Sequence, residues 1–182
     1  MTDKFAAPVV VGRVRSPYRE KFGVPRQAGL IDAMADIQML GPYANPDCFA
    51  GLDGFSHIWV SFIFHQAVEQ GWKAKVRPPR LGGNQKVGVF ASRSPFRPNH
   101  IGLSLARLLS IESQNNKVTL HVSGLDLVDG TPVIDIKPYI AYADAYPDAV
   151  SGFAAEPPKP HLKVLIADAA RADLDDREFE AL

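Results

Sequence analysis

Nine consecutive residues, Ser92 to His100 (SRSPFRPNH), hold two arginines, two prolines and two serines between apolar runs that read as strands. A turn between strands needs only a few polar residues, so this one is loaded for something else. A guanidinium offers a planar fork of N–H donors that matches carboxylate or phosphate. Proline fixes φ near −65° and stiffens the loop that carries it. Four further irregular polar segments adjoin strands: KFGVPRQ (21–27), the FHQ end of a strand (64–66), PPRLGG (78–83) and DLVDGTPVIDIKPY (126–139). Brought to one mouth of a barrel, such segments form a ligand site. The arginines would hold a carboxylate or phosphate there, and Asp129 or Asp135 would receive an amine or ribose hydroxyls. For Gly82, Gly83 and Gly130 a plain turn role suffices, because turns need glycine.

Several standard constellations are missing. The chain has no GxxxxGK[ST], no GxGxxG after a strand, no HExxH and no GxSxG. Its five histidines, His57, His65, His100, His121 and His161, lack metal-ligand spacing. His57 and His121 fall inside strand patterns and read as structural, and no metal is expected.

The elements that must position these groups are short strands. Pro8–Val14 is a β-branched run, and Leu30–Met39 alternates apolar with polar residues at period two. Asn45 and Pro46 mark a short helical turn ending at Gly54. Strands are expected over Phe55–Phe64, Lys86–Ala91, Ile101–Ile111, Lys117–Val122 and Val133–Ile136, with a hairpin at ESQNN and a turn at Asp129-Gly130. KPYIAYADAYPDA reads as extended or irregular chain. Many short strands, few helices and frequent turns define an all-β protein, a small barrel or sandwich with short helical turns. A first domain is expected over 8–155. Glu156–Pro160 (EPPKP) reads as a linker opening a partial C-terminal segment, 156–182, in which HLKVLI would be a strand and ADAARADLDDREFEAL a helix that ends without a stop signal.

With 182 residues and 46% hydrophobic content, the chain can bury one ordinary core. The single cysteine, Cys48, excludes an internal disulfide framework and a cysteine metal cage. The N-terminal MTDKFAAPVVVG lacks the pattern of a secretion signal, and the longest apolar run is far short of a membrane span. A soluble, cytoplasmic protein is the expectation. The formal net charge of zero hides a segregation: residues 1–122 carry 15 Lys/Arg against 8 Asp/Glu, and residues 123–182 carry 5 against 12. Gln70 to Ile111 contains no acid and eight basic residues. Such a segment suits a polyanion, a smaller phosphate or carboxylate ligand, or pairing with the acidic C-terminal third.

Taken together, GRVRSPYREKFGVPRQ, GFSHIWVSFIFHQ, VRPPRLGGN, GVFASRSPFRPN-x-IGLSL and DLVDGTPVIDIKPY resemble, in this order, the TsaA-like (TrmO) tRNA methyltransferases, over roughly residues 8–150. The resemblance implies a β-barrel that uses S-adenosyl-L-methionine to methylate N6 of N6-threonylcarbamoyladenosine beside the anticodon of threonine tRNA, working as a homodimer. It also implies cofactor contacts at Pro25, Arg26, Gln27, His65, Gln66, Arg93, Leu103, Asp129, Gly130, Thr131 and Pro132. His100 stands where the family often has proline, and many bacterial members carry a further C-terminal domain that assists tRNA binding. With tRNA as partner, Lys73, Lys75, Arg77, Arg80 and Arg97 become candidate phosphate contacts. Asp135, His65 and Tyr139 are general-base candidates by type alone. A non-catalytic S-adenosylmethionine sensor is one alternative. An RNA-binding barrel is another, disfavoured because the sequence shows no exposed aromatic stacking pattern.

Overall fold

The computed structural model describes residues 7–157 except Asn116, together with Ala167, Ala169 and Arg171. Six antiparallel strands close into a barrel: β1 (Gly12–Arg15), β2 (Met34–Met39), β3 (His57–Ile63), β6 (Ile101–Gln114), β7 (Lys117–Ser123) and β8 (Pro132–Pro138). The spatial order is β1-β2-β7-β6-β3-β8, with β8 returning to β1. Closure leaves no unpaired barrel edge. Two further strands, β4 (Lys75–Val76) and β5 (Val87–Gly88), pair in a small ribbon outside the barrel.

Period-two alternation builds the interior. Ile58, Val60 and Phe62 of β3 and Val118, Leu120 and Val122 of β7 point inward, joined by Ile37, Val14 and Val133. Each fully buried aliphatic side chain of this size contributes about 1.5–3 kcal/mol relative to exposure. On β6 the inward positions are small: Gly102, Ser104 and Ala106. Gly102 sits opposite Phe62 in the ladder, and a Cβ there would lie 2.2 Å from the Phe62 ring. The barrel is thus filled by one large ring against one missing side chain. Phe49 and Leu52, from the 3-10 turns that follow β2, join the core at the opposite end.

The all-β barrel expected from the sequence is present, and most strands fall where the alternation places them. The expected strand over Lys86–Ala91 is a correction. Only Val87 and Gly88 pair, and Val89–Ala91 turns into a 3-10 helix that buries Val89 at the ribbon. An apolar run containing a glycine fits a short ribbon as well as a core strand. Within KPYIAYADAYPDA, Ala141–Asp144 forms a one-turn α-helix, α1, where irregular chain was expected. The Asp144 carboxylate fastens it, accepting from the Ile140 N–H at 2.9 Å and from Trp59 Nε1 at 3.1 Å. Strand β6 runs three residues beyond Ile111, and Asn115 takes a φ of 52°, a left-handed conformation that asparagine tolerates in hairpin turns. The strand and helix expected over residues 161–182 fall, except for Ala167, Ala169 and Arg171, outside the described residues. No helix of the described residues is long and apolar enough to cross a membrane.

Candidate active site at the barrel mouth

Strand direction decides where the connections lie. β1 ends, β2 begins, β3 ends, β6 begins, β7 ends and β8 begins at the same end of the barrel. The three connections at that end, residues 16–33, 64–100 and 124–131, therefore share one mouth. They include four of the five polar segments singled out in the sequence and the first six residues of the fifth, Asp126–Thr131, the rest of which runs down β8.

Between them lies a cleft of about 220 Å³. Phe62, Phe64, Leu127 and Val128 supply its apolar wall, and Phe62 and Phe64 pack edge to face at 4.9 Å. His65, Gln66, Gln70, Lys21, Thr131 and Asp126 bring polar atoms to it, while Pro95 and Phe96 close it from the arginine loop.

Of the residues assigned to a cofactor, His65, Gln66 and Thr131 line this cleft. Arg93 Nη1 donates to Gln27 Oε1, which ties the arginine loop to the PRQ loop across the rim. Pro25 and Arg26 immediately precede Gln27 in the chain and do not line the cleft. The Asp129–Pro132 turn is tightly knitted: Thr131 Oγ1 donates to the Val128 carbonyl at 2.6 Å, and Asp129 Oδ1 accepts from the Ser16 N–H at 3.2 Å. The other Asp129 oxygen faces Arg15 at 3.6 Å, and Arg13 reaches the Gly130 carbonyl at 3.1 Å. Leu103 is not brought to the cleft. It projects from the outer face of β6 and is 57% exposed.

Burial, and secondarily the Arg13 charge, hold the His65 imidazole below its usual range, so it is neutral at pH 7. Of the three general-base candidates, His65 alone lines the cleft. Asp135 lies on the outside of β8, 3.7 Å from the Lys137 ammonium, and Tyr139 packs against His57 and Trp59.

Four residues that sequence reasoning missed belong to the site: Arg13, Tyr18, Ser104 and Asp126. Among the described residues Asp126 is the only carboxylate lining the cleft, and Ser104 Oγ donates to it at 2.5 Å. Burial pushes the Asp126 carboxyl above its usual range, although the Ser104 bond and the Arg93 charge oppose the shift. Tyr18 carries the buried side-chain polar atom that has no hydrogen-bond partner among the described residues. Burial and the Asp126 charge raise its phenol, which therefore stays protonated. Asp126 did have a signal, an acid in the apolar run GLDLV, between leucines that are 1% and 3% exposed.

The arginine loop separates its two cations. Arg93 is exposed at the rim, whereas Arg97 Nη1 donates to the Ser92 carbonyl at 2.7 Å and its guanidinium lies 5.8 Å from the Phe90 ring centre. Arg97 braces the loop internally. Lys73, Lys75, Arg77 and Arg80 are exposed on and beside the β4–β5 ribbon and make no ion pair among the described residues. Lys73 Nζ sits 4.0 Å from the Phe96 ring centre. Exposed aromatics accompany them, Phe22 at 88%, Phe90 at 77% and Trp72 at 59%, so surface rings are present that the sequence pattern did not reveal.

A closed barrel with a partly apolar, partly ionic cleft at its loop-bearing mouth has the architecture and lining suited to an amphipathic small molecule. The family model for the tRNA-methyltransferase O N-terminal domain matches residues 13–145, and the chain belongs to that family. The Escherichia coli (strain K12) protein named tRNA (adenine(37)-N6)-methyltransferase is 50% identical over 155 residues, which cover 85% of this chain and 66% of that protein. A Pseudomonas aeruginosa protein named putative S-adenosylmethionine-dependent methyltransferase RcsF is 50% identical over 149 residues, 81% of this chain and 60% of its own. The crystal structure of TrmO from Pseudomonas aeruginosa superposes with a TM-score of 0.71 at 40% identity, covering 85% of this chain and 65% of that one. The chain thus spans somewhat less than two thirds of the length of these relatives.

Proposed function

We propose that this chain forms the methyltransferase unit of a tRNA-modifying enzyme that takes S-adenosyl-L-methionine as donor and N6 of the adenosine beside the anticodon as acceptor. The finer substrate, N6-threonylcarbamoyladenosine in threonine tRNA, belongs to the same proposal, as does a homodimeric state. The observation that carries the reading is the convergence of the HQ, arginine-loop and DGTP segments on one cleft, with the PRQ segment tied to its rim through Gln27 and Arg93, in a chain whose relatives are named as methyltransferases.

The cleft's residues fit the donor. Arg93 and Gln27 present a charged fork and an amide at the rim for a carboxylate and amine. Phe62, Phe64 and Val128 offer apolar surface to the rest of the molecule. Neutral His65 places no positive charge against a cationic ligand. When bound, S-adenosylmethionine supplies an electrophilic methyl group on a sulfonium. The protein's task is then to align the two partners and exclude water, which is where enclosure by Pro95 and Phe96 matters. The exposed Leu103 and Ile101 on the outer face of β6 favour cover by a second copy, which would return Leu103 to a cofactor site.

Incubation with labelled S-adenosylmethionine and threonylcarbamoylated threonine tRNA should yield labelled methylated nucleoside on digestion, and tRNA lacking the threonylcarbamoyl group should yield far less. Donor binding without transfer would favour the non-catalytic sensor instead.

The ribbon is the proposed seat of the anticodon arm, with Lys73, Lys75, Arg77 and Arg80 as phosphate contacts. Replacing Lys73, Lys75 and Arg77 together by alanine is expected to flatten the slope of log affinity for tRNA against log salt by about 2, at roughly 0.7–0.9 per lost contact. An unchanged slope would remove the ribbon from the RNA-binding face.

A further inference from the structure

Among the described residues the cleft is lined by one acid, Asp126, to which the family resemblance assigns no role. Asp126 leaves the end of β7 between buried Leu125 and Leu127, which fix its backbone. Its carboxylate accepts from Ser104 Oγ at 2.5 Å, and Ser104 itself is 5% exposed on the inner face of β6. The backbone amides of Ala28 and of Asp126 itself lie close enough to oppose the upward shift of its carboxyl. The carboxylate is thus held from the barrel wall by Ser104 while still lining the cleft.

We propose that Asp126 accepts the proton released when the acceptor nitrogen is methylated, with Ser104 as the positioning residue that aims its carboxylate. This rests on the methyltransferase reading above. The acyl-type substituent on the acceptor N6 delocalises its lone pair and makes its proton easier to remove, so a well-placed base accelerates attack. The step balances without any other reactant. The nitrogen pair forms the new N–C bond, the C–S bond breaks with its electrons going to sulfur, and the N–H proton passes to the Asp126 carboxylate and then to solvent as product leaves.

The groups that face Asp126 come from every side of the mouth: Ser104 on β6, Ala28 and Tyr18 on the 16–33 connection, and Arg93 on the arginine loop. Lys21 and His65 complete the polar lining of the cleft. Burial outweighs the hydrogen bonds and Arg93, so the carboxyl is a stronger proton acceptor than an exposed aspartate. The sign for stability follows. A carboxyl raised in the fold favours folding below its unfolded value of about 3.9, and that stabilisation is lost as pH rises through the folded value. At neutral pH the ionised Asp126 is therefore a burden on the fold, and Asp126→Asn, which keeps an acceptor for Ser104, should be at least as stable as wild type.

The test compares wild type, Asp126→Asn and Ser104→Ala. Expected for Asp126→Asn are unfolding at or above the wild-type midpoint, S-adenosylmethionine affinity within about threefold of wild type, and a kcat on threonylcarbamoylated tRNA lower by about 10²–10⁴-fold. Ser104→Ala should move the Asp126 carboxyl titration, followed by ¹³C NMR in ligand-free protein, to higher pH. The acidic limb of its kcat profile should move with it. The proposal is overturned alone if wild type transfers methyl and the Asn variant does so equally well, or if that variant loses donor affinity in step with rate. An unmoved titration in Ser104→Ala would also overturn it. Wild type that transfers no methyl overturns the parent reading and the proposal with it.

Discussion

Arg93→Ala is expected to weaken S-adenosylmethionine binding by about 10- to 100-fold, the equivalent of the roughly 1.5–3 kcal/mol carried by a hydrogen bond to a charged group. The guanidinium does two things at the mouth. It clips the arginine loop to Gln27 of the PRQ loop, and its charge reaches Asp126. Removal breaks the side-chain contact between the two loops, so a ligand must align them on arrival. Because Arg93 is exposed and outside the core, the fold itself should be little changed, and thermal unfolding without ligand should match wild type. Arg93→Lys should recover only part of the affinity, since an ammonium keeps the charge and loses the planar fork. Calorimetric titration of the three proteins decides it. Equal affinities would mean that the rim contact is incidental to the ligand.

The second large effect lies at the floor of the site. Gly102→Ala should destabilise the barrel by about 1–3 kcal/mol, the range for overpacking a filled interior. A Cβ at residue 102 would meet three atoms of the Phe62 ring at 2.2, 2.6 and 2.8 Å, and the ring has little room because it also packs on Phe64. Relief requires Phe62 to shift toward the cleft, so ligand affinity should fall along with stability. Adding Phe62→Leu should return part of the stability, as expected for residues in direct contact. Urea unfolding of the single and double variants measures this. An alanine variant as stable as wild type would show that the ring can move freely, against the tight pairing of β3 and β6.

These two residues illustrate what the sequence could and could not disclose. Arg93 stood out because a charged, proline-stiffened loop between strands has no structural need for a guanidinium. Gly102 did not stand out, because a glycine in IGLSL looks like any weak strand position until the opposing residue is known to be Phe62. The all-β class was legible from the period-two alternation of Leu30–Met39 and from β-branched and aromatic runs such as HIWVSFI. The ribbon was not, since VGVFA carries the same apolar signature as a core strand and only register separates them. The two arginines of one loop differ for a related reason: nothing local distinguishes Arg93 at the rim from Arg97 turned back onto the Ser92 carbonyl. Asp126 was hidden by its neighbours. Flanking leucines mark the backbone as buried, but the value of the acid comes from Ser104, 22 residues earlier, across the barrel wall.

The end of the barrel opposite the mouth provides the natural control for the central claim. A second, larger hollow of about 370 Å³ lies there, between Met39, Tyr43, Phe49 and Phe55, and none of the cofactor residues faces it. The deciding measurement is an NMR titration of the isotopically labelled protein with S-adenosylhomocysteine, the demethylated product, which binds without reacting. Shifts should concentrate at Gln27, His65, Gln66, Arg93, Asp126 and Thr131 and leave Tyr43 to Phe55 unmoved. Shifts centred on Tyr43 to Phe55, or no saturable shifts at the mouth, would contradict the placement of the donor site.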